Sequence, residues 1–176
     1  MKICILGGGA YGLALSSIFN KNKHNVTIWT YSKEEEKQLD KERISPKLKG
    51  YKIPSEIKIT TSMTKAIKNS DIIVIALPTH AVNECTKELS KYLEKDMHIL
   101  LATKGIENTT CAFLTDVISR HVNTNKIAVI SGPSFAKDII KEVPIGLSLA
   151  TTNGKTKNIV KEALENENIK IRVTLD

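Results

Sequence analysis

A short apolar strand running straight into three spaced glycines constrains this chain more than any other feature. Residues 2–12 read Lys-Ile-Cys-Ile-Leu-Gly-Gly-Gly-Ala-Tyr-Gly, which sets Gly7-x-Gly9-x-x-Gly12 directly after Ile3 to Leu6. In this pattern the first glycine permits a tight turn off the strand and the second lets the backbone approach a pyrophosphate. The third lets the next helix pack against the strand. The apolar set Leu13, Leu15, Ile18 and Phe19 follows at helical spacing, so strand, turn and helix succeed one another as a dinucleotide-binding turn requires. The phosphates would sit at the N-terminus of a helix from Ala10 to Lys21, where free N–H groups and the helix dipole favour negative charge. The alternative is a glycine-rich turn in some other α/β protein.

Strand and helix patterns alternate along the whole chain, which predicts an α/β fold of the doubly wound, mostly parallel type. Strands are expected at Lys2 to Leu6, Val26 to Thr30, Ile57 to Thr60, Ile72 to Leu77, His98 to Thr103, Ile127 to Ser131, Ile145 to Ala150 and Ile169 to Val173. Helices are expected at Ala10 to Lys21, Lys33 to Lys41, Met63 to Lys68, Ala81 to Leu93, Cys111 to His121, Phe135 to Ile140 and Gly154 to Glu165. Ser32 and Ser62 are placed to cap the second and third helices. Ile72 to Leu77 and Ile99 to Ala102 are apolar at every residue, as central parallel strands are. Arg43 to Pro54 reads as an excursion loop. Ligands of such sheets bind beyond the carboxyl ends of the strands, which directs attention to Gly7–Gly12, Thr30–Ser32, Pro78–His80, Thr103–Ile106 and Gly132–Ala136.

The length of 176 residues predicts one domain, 1–176, able to bury its own core. No apolar run approaches the roughly 20 residues of a membrane span, and the N-terminus enters a strand at once, so the expected compartment is the cytoplasm. The three cysteines, Cys4, Cys85 and Cys111, have no metal-ligand spacing and read as free buried thiols; the four histidines are equally scattered, so no metal site is expected. The net charge of +7 invites a nucleic-acid partner. The lysines, however, are spread through every segment, often beside glutamates, and aromatic residues make up only 5%. Solvated helix faces explain that charge, and a basic surface would also help capture an anionic cofactor and substrate.

Sequences that favour NAD carry an acid at the end of the second strand, roughly 20 residues past the glycines, where it binds the ribose hydroxyls. Here Thr30-Tyr31-Ser32-Lys33 occupies that stretch, and the first acid is Glu34. Either Ser32 or Lys33 contacts the 2′-phosphate of NADP, which is then tolerated or preferred, or Glu34 binds the ribose from the helix start. Tyr31 can offer a flat face to the adenine.

Further loops extend the match. Gly7-Gly8-Gly9-Ala10-Tyr11-Gly12, Ala102-Thr103-Lys104-Gly105-Ile106-Glu107 and Ile130-Ser131-Gly132-Pro133-Ser134-Phe135-Ala136-Lys137-Asp138 occur in order, with Asp71 to His80 between the first two. Together they closely resemble bacterial NAD(P)-dependent glycerol-3-phosphate dehydrogenase, over essentially all 176 residues. The resemblance implies a Rossmann-type domain and reversible reduction of dihydroxyacetone phosphate to sn-glycerol 3-phosphate, for phospholipid synthesis. It implies cofactor contacts from Gly7, Gly9, Ala10, Tyr11, Gly12, Tyr31, Ser32, Lys104 and Ala136. Lys104, Gly132 and Ser134 would hold the phosphorylated substrate, with Lys104 also polarising its ketone.

Two departures stand out. Lys47-Leu48-Lys49-Gly50 replaces the family's Tyr-Leu-Pro-Gly, and Asp138 stands where glutamate is usual. The sequence ends at Asp176, where the family continues into a helical domain that supplies the acid–base lysine after a Gly-Val-Glu segment. The expectation is therefore a cofactor-binding half, inactive alone, whose full-length relative is a homodimer. Such a half would expose an apolar face where the helical domain docks. Two alternatives stay open: a ketopantoate-reductase-like oxidoreductase, and a non-catalytic NAD(P)-binding remnant.

Overall fold

The computed structural model describes residues 1–174. Leu175 and Asp176, which border the expected start of the family's helical half, lie outside the described residues. The elements in chain order are β1 (Lys2–Leu6), α1 (Ala10–Lys21), β2 (Asn25–Trp29), α2 (Lys33–Glu42), a 3-10 turn at Pro46–Leu48, β3 (Lys58–Thr60) and α3 (Met63–Ile67). They continue with β4 (Ile72–Ile75), α4 (Thr79–Leu89), β5 (His98–Leu101), α5 (Leu114–Ser119), β6 (Ile127–Ser131), α6 (Ala136–Ile140), β7 (Ile145–Ala150), α7 (Gly154–Leu164) and β8 (Ile169–Thr174).

The eight strands form one sheet in the order β3-β2-β1-β4-β5-β6-β7-β8. Strands β1 to β6 run parallel. β7 runs antiparallel to β6, and β8 parallel to β7. The doubly wound, mostly parallel expectation therefore holds, with the reversal confined to the last two strands. The order turns back on itself between β1 and β4, and a crevice opens at such a switch point.

Residues of β1 alternate between two cores. Ile3 and Ile5 join α1 on one face, while Cys4 and Leu6 join Val82 and Leu89 of α4 and Val117 of α5 on the other. Apolar burial on both faces is what the continuous apolar run of β4 requires. Cys4 and Cys85 are buried free thiols, and burial raises both pKa values, that of Cys85 to about 12. Cys111 is exposed, against expectation, because residues 107–113 stay outside α5 as a separate loop.

That loop explains why α5 begins at Leu114 rather than Cys111. Glu107 accepts from Arg120 Nη1 at 2.8 Å and from the Thr110 hydroxyl, while the Cys111 N–H donates to the Glu107 carbonyl at 2.9 Å. Strands β4 and β5 also end two residues before the expected Leu77 and Thr103. There the Thr103 hydroxyl, rather than the ladder, joins them by donating to the Leu77 carbonyl at 2.8 Å. Ser32 and Ser62 cap α2 and α3 as expected.

The glycine turn is set by backbone contact. Gly7 has φ +127°, and a Cβ there would stand 2.4 Å from the Ala76 carbonyl oxygen. A Cβ on Gly12 would stand 2.1 Å from the Gly7 carbonyl oxygen, whereas one on Gly9 would meet nothing within 4 Å. Gly12→Ala should therefore cost about 3 kcal/mol or more of stability by forcing backbone apart. Gly9→Ala, at an ordinary backbone conformation, should change stability by less than about 0.5 kcal/mol. Urea unfolding of the two variants side by side checks the contrast.

His98 sits 1% exposed at the start of β5, its Nδ1 2.8 Å from the Thr156 hydroxyl of α7. Burial, aided by Lys126 and Lys155, lowers its pKa from the ordinary 6.5. The unfolded chain then binds the proton more readily, so stability is present above about pH 6.5 and is lost as pH falls below it. The urea midpoint should drop from about pH 7.5 to about pH 5.5. His98→Leu should reduce that slope, with His24, lowered chiefly by burial, keeping the remainder.

Candidate functional site

All five loops singled out in the sequence leave the carboxyl ends of parallel strands and collect on one rim. The helix α1 begins there with Gly9 as its cap, which has no side chain to bond the first amides. The first bond of the turn runs from the Leu13 N–H to the Gly9 carbonyl at 2.9 Å, so the amides before it point outward. The first turn of α1 holds no acidic residue. An anion is favoured at this end by amides and dipole together.

The space beyond Gly9 is compatible with a dinucleotide. Gly7 and Gly12 are needed by the protein's own backbone, but no protein atom claims the place of a Gly9 Cβ. That open space over the helix N-terminus is what a pyrophosphate needs.

Beside the turn lies an open cleft of about 320 Å³, lined by Ala10, Tyr11, Lys104, Ser134, Phe135 and Ala136, with Ala76, Leu77, Ala102 and Thr103 as its floor. Five of the residues expected from the sequence thus share one cavity. Tyr11 Oη stands 2.9 Å from Ser134 Oγ, joining α1 to the loop after β6. Burial raises the Tyr11 pKa against the lowering effect of that hydrogen bond, so the phenol keeps its proton. Ser134 is held in place by its N–H, which donates to the Gly132 carbonyl at 2.9 Å. Gly132, at φ +147°, makes the turn; a Cβ there would come within 2.9 Å of the Gly146 carbonyl oxygen.

Lys104 projects from the end of β5 into the same space. Its ammonium donates to the Gly132 carbonyl at 3.3 Å and stands 5.7 Å from the centre of the Tyr11 ring. The cleft therefore holds one cation, one protonated phenol and one serine hydroxyl within reach of each other. Such a set binds a phosphate or a polarised carbonyl oxygen.

Tyr31 and Ser32 lie elsewhere on the rim, after β2, on the far side of the glycine turn from the cleft. Tyr31 is 89% exposed and meets the Trp29 ring edge-on, with centroids 6.4 Å apart. Ser32 Oγ accepts from the Glu35 N–H at 3.2 Å and donates to Glu34 Oε2 at 2.6 Å. Lys47, at the departure from the family pattern, reaches back to Glu35 at 2.5 Å.

Sequence reasoning missed two supports and one rim residue. Thr103 stitches β4 to β5 at the cleft floor, and Glu107 with Arg120 fixes the loop that follows Lys104. Phe135, 73% exposed, stands on the cleft edge. The first two depend on contacts across the fold, and the exposure of Phe135 has no local signal in the sequence. Among the described residues no cluster of three or more metal-ligating side chains occurs.

The sequence and the fold both match known proteins. Residues 2–157 match the family model described as NAD-dependent glycerol-3-phosphate dehydrogenase N-terminus. The chain is 34% identical over its whole length to the glycerol-3-phosphate dehydrogenase [NAD(P)+] of Thermoanaerobacter sp. (strain X514), covering 53% of that protein. It is 30% identical to the enzyme of that name from Fusobacterium nucleatum, again over all of this chain and 53% of the relative. The chain thus spans about half the length of the curated relatives it matches. The crystal structure of glycerol-3-phosphate dehydrogenase from Coxiella burnetii superposes with a TM-score of 0.94 at 24% identity, over 99% of this chain and 54% of that one. A pyrroline-5-carboxylate reductase from the same organism shares the fold more distantly, with a TM-score of 0.72 at 12% identity over 99% of this chain and 58% of that one. On the family-model match, the chain belongs to the NAD-dependent glycerol-3-phosphate dehydrogenase N-terminus family.

Proposed function

We propose that residues 1–176 act as one cofactor-binding domain of a cytoplasmic dehydrogenase that interconverts dihydroxyacetone phosphate and sn-glycerol 3-phosphate. The convergence of Lys104, Tyr11 and Ser134 beside the empty space over Gly9 carries this reading. A nicotinamide dinucleotide, when bound, supplies or accepts the hydride. The α1 amides and Gly9 hold its pyrophosphate, and Ala10, Tyr11 and Ala136 border its path into the cleft. Lys104 neutralises the phosphorylated substrate and draws charge toward the ketone oxygen as reduction proceeds. Ser134 and Gly132 shape the loop that receives the substrate, and the protonated Tyr11 hydroxyl fixes Ser134.

None of these groups is assigned to deliver the proton that must reach the carbinol oxygen. The family's acid–base lysine belongs to the half of the relatives that this chain does not cover. That half also closes the cleft, against a rim that includes Phe135. The full-length protein would act as a homodimer, by resemblance. The ketopantoate-reductase-like reading finds no comparable support, because Lys104 and the Gly132 loop suit a phosphorylated substrate.

Two outcomes are expected from the 176 residues. Nicotinamide fluorescence should show NADH binding, weakened about tenfold in Gly9→Ala while stability is kept. Absorbance at saturating dihydroxyacetone phosphate should show little or no turnover. In the catalytically complete enzyme, Lys104→Met should lower kcat/KM by about a hundredfold or more.

A further inference from the structure

The end of β2 carries a feature that the domain reading leaves unexplained. Ser32, the third residue beyond that strand, caps α2 on the side where the dinucleotide reading puts the adenosine ribose. Its single proton is already given to Glu34 Oε2, at 2.6 Å, and its oxygen accepts the Glu35 amide. A hydroxyl so engaged has no proton to offer a phosphate.

The neighbouring charges point the same way. Three carboxylates, Glu34, Glu35 and Glu36, occupy the first turn of α2 and compensate its N-terminal dipole. Glu35 is paired with Lys47 at 2.5 Å, and its carboxyl carbon lies 3.4 Å from where a Cβ on Gly8 would stand. Glu36 accepts from the Thr61 hydroxyl at 2.8 Å. Glu34 is the one of the three whose carboxylate bonds the Ser32 hydroxyl after β2, where the dinucleotide reading puts the ribose. The hydrogen bond from Ser32, and next its own backbone amide, hold its carboxyl below the usual carboxylate range, so it is ionised at neutral pH.

Cations at this end are fewer than the composition suggests. Arg43, the arginine nearest in sequence, is turned to Asp40 at 2.7 Å and to the Ile57 carbonyl at 2.7 Å. Lys33 and Lys37 flank Glu34 on exposed positions, as flexible point charges without the planar fork that grips a phosphate. In dinucleotide folds an acid roughly 20 residues past the glycines binds the ribose 2′-hydroxyl, and an arginine accommodates the 2′-phosphate. Glu34 stands 22 residues past Gly12, and its carboxylate can accept from a 2′-hydroxyl but only repel a 2′-phosphate.

We propose that Glu34, latched onto Ser32, is a specificity-determining residue that makes this site favour NAD(H) over NADP(H). The inference rests on the dinucleotide reading of the Gly7 turn and decides between the two possibilities left open by the sequence. NADP is still bound, more weakly, through the shared pyrophosphate contacts.

The test is parallel fluorescence titration of the protein and of Glu34→Gln with NADH and with NADPH. The protein should bind NADH about tenfold more tightly than NADPH, the scale of one carboxylate facing a phosphate near a surface. Glu34→Gln should bring the ratio close to unity, mainly by tightening NADPH. Raising the salt concentration should narrow the ratio of the protein while barely moving that of the variant. Equal or tighter NADPH binding by the protein, or a ratio unchanged in Glu34→Gln, overturns the assignment. Thermal melting of the variant, whose changed side chain is exposed, shows that it is folded. Binding of neither nucleotide overturns the dinucleotide reading and this assignment together. Discrimination in binding without turnover in the complete enzyme would sink only the proposed reaction.

Discussion

Three backbone segments meet at van der Waals limits around Gly7 and Gly12, and the remaining site geometry depends on that contact. The Gly7 position is pressed against the Ala76 carbonyl at the end of β4, and Gly12 of α1 against the Gly7 carbonyl. Strand, turn, helix and neighbouring strand are therefore fixed without intervening side chains. Because α1 is drawn so close to β1, its N-terminus faces the crevice between β1 and β4. A helix set about an ångström farther out would take Tyr11 beyond hydrogen-bond reach of Ser134.

Around that contact the sheet is a rigid support for loops. Apolar side chains of β1 and β4 enter cores on both faces, and the parallel strands deliver Gly9, Lys104 and Gly132 to one edge. The loop after Lys104 is long, but Glu107 tethers it to Arg120 on α5's end. The cleft residues, Lys104 among them, are thus carried by a frame with apolar cores on both faces.

What the sequence disclosed and what it concealed follow from the range of the interactions. The β1–α1 unit is written in one continuous run, residues 2–21, and the caps Ser32 and Ser62 bond residues three positions on, so the pattern sufficed. Lys104, Gly132 and Ser134 came from resemblance, since nothing local separates Lys104 from the other lysines. The reversal of β7 was not legible. Its alternating burial marks a strand with one open face, but its direction depends on where the short α6 delivers the chain. The Ser32–Glu34 latch is close in sequence and still escaped notice, because two residues that near can pair or part according to rotamer alone.

The Tyr11–Ser134 hydrogen bond has a consequence for how the molecule assembles. Its partners are 123 residues apart, and the sheet between them holds β4 and β5. The glycine turn needs only its own strand and helix with β4 behind them, whereas the cleft wall needs β6 in register. Closing so long a loop costs entropy before any contact repays it. The two ends of the rim thus differ in how much chain their contacts enclose. The glycine turn closes the segment from Gly7 to Ala76, whereas the cleft wall closes the longer one from Tyr11 to Ser134 and carries the larger closure entropy.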